Sequence, residues 1–189
     1  MTLTAAIDAL AGSMVVGVPT DTVYGLAVDP HNRAAVKSLF AIKGRAAGSP
    51  LVVLVASMQA AEQLVDIPPA VRSMLDLSWP GALTAVLRTS VSFSKGVGDP
   101  EAGTVAFRVP DHPELHELLM AWGPLAVTSA NRTGSAPTLS ADEAVAVFGE
   151  EVAVYVEGVC RGGEPSSVVD FTGTSPVVLR VGPVVIAGS

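Results

Sequence analysis

Short apolar runs alternate with stretches of helical periodicity along the 189 residues, and this alternation constrains the fold more than any other feature. Runs at 14–18, 23–28, 51–55, 83–87 and 104–109 read as strands, as do those at 125–128, 152–156, 168–171 and 177–181. Helical patterns fill many of the gaps. Thr4 can cap a first helix that Gly12 ends, and Asn32 can cap a second running to Ile42. Two more patterns cover 58–65 and 69–77, Asp111 can cap a helix with Pro113 in its first turn, and a last one covers 140–148. The prediction is an α/β layer fold around a twisted sheet with flanking helices. The sheet should be mixed, because the final strands follow one another without a helix between them. One domain is expected over 1–189. The glycine-rich stretch 89–103 is the expected mobile loop.

Charge then narrows the function. Hydrophobic residues make up 49% and charged residues 15%, yet no run approaches the ~20 apolar residues that span a bilayer. The opening stretch carries Asp8 and lacks a basic start, so it does not read as a signal peptide. A single cysteine, Cys160, forms no internal disulfide and fits a reducing, cytoplasmic setting, with a structural role expected for it. A net charge of −7 argues against a large nucleic-acid footprint, which needs clustered Lys and Arg. A small anion pocket needs only a few cations.

Those cations and several hydroxyls gather at segment ends. The segment 19–26, PTDTVYGL, follows a buried strand, and its two threonines and aspartate can form either an ordinary turn or part of a ligand site. Lys43-Gly44-Arg45 closes a predicted helix. There a cation can answer the helix dipole, or the pair can turn toward one polyanion. Thr128-Ser129-Ala130-Asn131 again follows a strand, where open α/β sheets bind ligands. Arg108 and Arg180 lie in or at the end of apolar strands. Each needs a partner there, either a structural acid or an anionic ligand. No Walker or dinucleotide-binding glycine loop is present. His112 and His116 have metal-like spacing, but the first lacks a following Glu and Pro113 suits a helix start. Asn131-Arg132-Thr133 forms a glycosylation sequon, which matters only for a secreted chain.

Taken in order, these segments resemble the YrdC-like family of threonylcarbamoyl-AMP synthases. The resemblance rests on PTDTVYGL, KGR at 43–45, SPL at 49–51, WPG at 79–81 and TVAFRVPDHP at 104–113. TSAN at 128–131, SSVVD at 166–170 and LRVG at 179–182 complete it. The chain resembles the short form without an extra C-terminal domain. The resemblance implies a YrdC-like twisted sheet with a concave anion-binding pocket. It also implies synthesis of threonylcarbamoyl-adenylate and pyrophosphate from L-threonine, bicarbonate and ATP, for modification of tRNA. Thr22, Arg108, Ser129 and Ser166 would then meet threonine or its carbamate. Lys43, Arg45, Ser49, Thr104, Asn131 and Arg180 would meet the nucleotide, together with Thr138 or Ser140.

That activity needs no covalent protein nucleophile. It needs Mg²⁺ with the ATP, cations to hold two anions together, and downstream tRNA-modification proteins to take the product. Three positions depart from the family pattern: Ala46 replaces a usual proline, Leu54 stands where some members carry histidine, and the loop after Asn131 is one residue short. Two alternatives remain open: an RNA-binding module of the same fold, and carbamoyl transfer from carbamoyl phosphate.

Overall fold

In the computed structural model, residues 2–44 and 50–186 are described. The chain begins with α1 (Leu3–Ala11), ended by Gly12, and continues through β1 (Val16–Val18) and β2 (Gly25–Val28) to α2 (Arg33–Lys43). The Asn32 side chain caps α2 by accepting from the N–H groups of Ala34 and Ala35. Gly44 stops it in the left-handed conformation (φ 60°), which a side chain would resist. There follow β3 (Val52–Leu54), α3 (Met58–Glu62), α4 (Pro69–Leu75), β4 (Leu83–Arg88), β5 (Thr104–Arg108), α5 (Pro113–Trp122) and β6 (Leu125–Ser129). After α6 (Ala141–Phe148) and a 3₁₀ turn come β7 (Val154–Tyr155), β8 (Ser167–Asp170) and β9 (Val177–Arg180).

All nine strands join one mixed sheet in the order β7-β1-β2-β6-β3-β5-β4-β8-β9. Pairs β1–β7, β3–β5 and β4–β8 are parallel and the others antiparallel. The mixed α/β reading therefore holds.

Side-chain alternation sorts the strands into two faces. One face is apolar across the sheet: Leu26, Val53, Ala85, Phe107, Ala126 and Val169 pack beneath α2, α3, α4 and α6. The opposite face is covered only in part. There α1 and α5 contribute Ala6, Leu10, Leu115 and Leu118, which meet Val18, Leu54 and Val127. Each fully buried leucine of this kind stabilises the fold by about 1.5–3 kcal/mol. On β5, β4 and β8 the residues of that face include Arg108, Thr84, Val86 and Val168, and these join neither cluster. The helical cover stops midway across the sheet, and the cleft begins there.

Three local expectations change. Thr2, not Thr4, precedes α1, and its side chain makes no cap hydrogen bond. The residue capping α5 is His112, not Asp111, and its side chain makes no cap hydrogen bond. The stretch 89–103 is anchored at several points: Leu51 N–H donates to Gly96 O, Ser94 N–H donates to Pro30 O, and Val97 is buried. Phe93 stacks on His31 and meets the edge of Phe107. Glycines there serve close packing, since a side chain at Gly96 would run into the Phe40 ring at 2.5 Å.

Candidate active site

The uncovered half of the sheet forms a cleft of about 650 Å³. Its walls include Thr22, Lys43, Arg108, Ser129, Asn131, Ser166 and Arg180, gathered from widely separated parts of the chain.

Arg108 ends β5 and is almost fully buried, so its guanidinium must find acceptors. Nε donates to Gly81 O (2.9 Å), one terminal nitrogen to Thr22 Oγ1 (2.9 Å) and the other to Asp21 Oδ1 (2.7 Å). The Trp79-Pro80-Gly81 turn is pinned to the same place by Gly81 N–H, which donates to Val109 O. Three of five donors are thus used, leaving one N–H on each terminal nitrogen. Two remaining donors on one planar guanidinium suit a two-pronged carboxylate contact. Burial pushes the Arg108 pKa down and the Asp21 carboxylate opposes that push. The group stays a cation.

The turn reading of 19–26 holds, and Thr20 and Thr22 also line the cleft. Thr22 N–H donates to Thr20 Oγ1, and Thr20 Oγ1–H donates to Val23 O, which closes the turn. With that proton committed, the 2.9 Å contact between the two hydroxyls runs from Thr22 to Thr20. Arg108, Thr22, Thr20 and the backbone therefore form one oriented chain. Gly25 gives this wall its closeness, because a Cβ there would stand 2.8 Å from Val127.

Arg180 enters the cleft through a bulge. Val169 pairs with Val178 and Val168 with Arg180, so Leu179 is an extra residue in β9. Val178 packs on the covered face, and after the extra residue Arg180 emerges on the cleft face. Its Nε donates to Ser166 O (2.9 Å) and a terminal nitrogen to Ser166 Oγ (3.1 Å). Ser166 Oγ also meets Thr84 Oγ1 at 2.8 Å. Burial and the positive charge of Arg108 both lower the Arg180 pKa. Two like charges facing one cavity favour an anion between them. Arg108 has its acid partner in Asp21. Among the described residues Arg180 has no carboxylate partner.

At the other end, Lys43 Nζ donates to Ser129 O (2.7 Å) and Asn131 Oδ1 (2.8 Å). Ser129 Oγ donates to the same Oδ1 at 2.6 Å, while Asn131 Nδ2 donates to Ser135 O. Lys43, Ser129 and Asn131 are one hydrogen-bonded unit.

Other expected residues fall differently. Thr104 begins β5 on the Arg108 face, roughly 13 Å along the strand, and does not line the cavity. Thr138 and Ser140 also lie outside its walls: Thr138 Oγ1 donates to Ala130 O, and Ser140 Oγ caps α6 by accepting from Glu143 N–H. Arg45, Ala46 and Ser49 fall outside the described residues. Leu54 does line the cleft, as an apolar wall. His112 is buried while His116 is exposed, and no metal-ligand cluster occurs among the described residues. Cys160 is buried, its thiol accepts from Thr20 N–H, and burial raises its pKa. Thr84 was missed as a site residue. Its signal is a lone hydroxyl residue within the apolar run LTAVL.

This is an α/β chain whose half-open sheet presents guanidinium, ammonium and hydroxyl groups to one cleft. It belongs to the Sua5–YciO–YrdC family, described as "Telomere recombination", which matches residues 8–182. A Mycobacterium tuberculosis protein provisionally named threonylcarbamoyl-AMP synthase is 41% identical over 184 residues, which is 96% of this chain and 84% of that one. The Vibrio cholerae threonylcarbamoyl-AMP synthase is 37% identical over 185 residues, covering 94% and 95%. The structure of Pyrococcus abyssi Sua5 complexed with L-threonine aligns with a TM-score of 0.87 at 34% identity, over 95% of this chain and 54% of that one. The present chain thus spans about half the length of that protein. Among the described residues, no helix is long and apolar enough to cross a membrane.

Proposed function

We propose that this chain is an L-threonylcarbamoyladenylate synthase, making threonylcarbamoyl-AMP and pyrophosphate from L-threonine, bicarbonate and ATP. The observation that supports this reading is one cleft lined by cationic side chains from separate parts of the fold. Arg108 with Thr22 and Ser166 stands at the threonine end, and Lys43 with Asn131 stands at the nucleotide end. Relatives at 41% and 37% identity bear the same activity in their names.

The Arg108 fork takes the threonine carboxylate and leaves the amine directed into the cavity. The threonine ammonium gives up a proton, and bicarbonate takes up a proton and loses water to give carbon dioxide. The amine attacks its carbon and loses a proton, leaving a carbamate. A carbamate oxygen then attacks the α-phosphorus of ATP, the bond to the β-phosphate oxygen breaks, and pyrophosphate departs. No protein bond is made or broken. The protein brings two anions together and offsets the charge growing on the leaving group, for which Lys43 and Arg180 are suited. Magnesium would enter with ATP and would offset part of the phosphate charge. The described cleft side chains are donors suited to anions, and Asp21 is already engaged by Arg108. The product serves tRNA modification, which puts the reaction in the cytoplasm and downstream modification proteins next in line.

The test is incubation with L-threonine, bicarbonate and MgATP. Pyrophosphate release that requires threonine, with threonylcarbamoyl-AMP seen by mass spectrometry, is expected. Pyrophosphate release indifferent to threonine would end the proposal.

A further inference from the structure

The loop after β6 does more than present Asn131. Its next residue, Arg132, lies where the C-termini of α2 and α6 approach each other. One terminal nitrogen donates to Ile42 O (2.5 Å), the carbonyl just before Lys43, and the other to Val147 O at 3.4 Å. Both terminal nitrogens reach Glu151, and the guanidinium sits over the Phe148 ring, 4.9 Å from its centroid. Thr133 Oγ1 adds a bond to Lys43 O (3.1 Å).

The last carbonyls of a helix have no partner within it, and they carry the negative end of its dipole. Arg132 and Thr133 supply donors to those of α2, and Arg132 also reaches the end of α6. The consequence lies one residue away on either side. Lys43 belongs to α2 and Asn131 to the loop after β6, so the 2.8 Å contact between them depends on how those two segments are fastened. An exposed ion pair alone contributes little. Arg132 differs because its fork also holds backbone carbonyls beside the site.

We infer that Arg132 is a positioning residue: it clamps the end of α2 to the loop after β6 and so holds Lys43 and Asn131 in register for the nucleotide phosphates. It does not touch the nucleotide. This rests on the reading of the Lys43 end as the phosphate site.

The experiment measures MgATP and L-threonine affinities separately by calorimetry for the wild type, Arg132→Ala, Arg132→Lys, Glu151→Gln and Lys43→Ala. Arg132→Ala is expected to weaken MgATP about fivefold while threonine affinity stays within about twofold. Arg132→Lys, still able to reach Ile42 O, recovers part of the loss. Glu151→Gln, which keeps the helix contacts and loosens the fork, gives a smaller shift of the same sign and serves if Arg132→Ala does not fold. Unchanged MgATP affinity in both Arg132→Ala and Glu151→Gln, or equal weakening of both ligands, overturns the inference alone. Failure of the wild type to bind MgATP, or of Lys43→Ala to weaken it, overturns the phosphate-site reading and this inference with it.

Discussion

Arg108 and Asp21 are 87 positions apart in the chain and 2.7 Å apart in the fold, and their ion pair holds the arginine fork in one orientation at the floor of the cleft. The other contacts of the fork, to Gly81 O and Thr22, leave little freedom to turn.

Replacing Arg108 by lysine keeps a cation near Asp21 and removes the fork. Threonine affinity should fall by about tenfold or more, because a point charge cannot reproduce a two-pronged contact. Thermal unfolding shifts by only a few degrees if the charge remains paired. Calorimetric titration with L-threonine reads the first effect, and unchanged affinity would remove Arg108 from the clamp.

Thr84 is fully buried and shares its hydroxyl with Ser166. Thr84→Val preserves the shape and leaves Ser166 its bond from Arg180. The stability cost should therefore be about 1 kcal/mol, near the value of one hydrogen bond. Urea denaturation measures it, and a variant more stable than wild type would contradict a structural hydrogen bond here.

Deleting Leu179 removes the bulge and restores simple alternation in β9. Arg180 then follows Val178 directly and still faces the cleft opposite Val168. The deletion should therefore leave MgATP affinity within about twofold of the wild type, whereas Arg180→Ala lowers it at least severalfold. If the deletion binds as weakly as Arg180→Ala does, the extra residue is itself needed to place the guanidinium.

The buried thiol of Cys160 and phenol of Tyr24 both have raised pKa values, chiefly through burial. Each favours the folded state in its protonated form. Their contributions are full below the unfolded values, about 8.5 and 10, and shrink as pH rises beyond them, because the unfolded chain loses the proton first. Unfolding temperature should fall between pH 8 and pH 10.5 in the wild type and fall less in Cys160→Ala and Tyr24→Phe. Parallel profiles in all three would refute the assignment.

Much of the local structure was legible. Asn32 capping α2 and Gly12 ending α1 follow from the conformational preferences of those residues. The site was legible as fragments: an arginine in an apolar strand demands a partner, and hydroxyls gathered at strand ends invite one. Thr84 and the placement of Thr138 were less readable, since a hydroxyl in an apolar run looks alike whether it faces a cavity or a backbone carbonyl. The 89–103 stretch was misjudged because its glycines answer to close packing against Phe40 and Val105, residues distant from or only adjoining the loop.

By itself, then, the sequence determined the alternation of strands and helices, the apolar face of each element, the cations available for an anion and, through its ordered motifs, the family. Only the tertiary structure decided that β5 lies between β3 and β4, that α1 and α5 cover half of one face, and that Leu179 is bulged out of register so that Arg180 faces the cleft. The reason is physical. Periodicity reports which side of a strand is buried, whereas neighbours are chosen by long-range pairing that buries those sides together. That pairing brings Lys43 to Asn131 and Arg108 to Asp21.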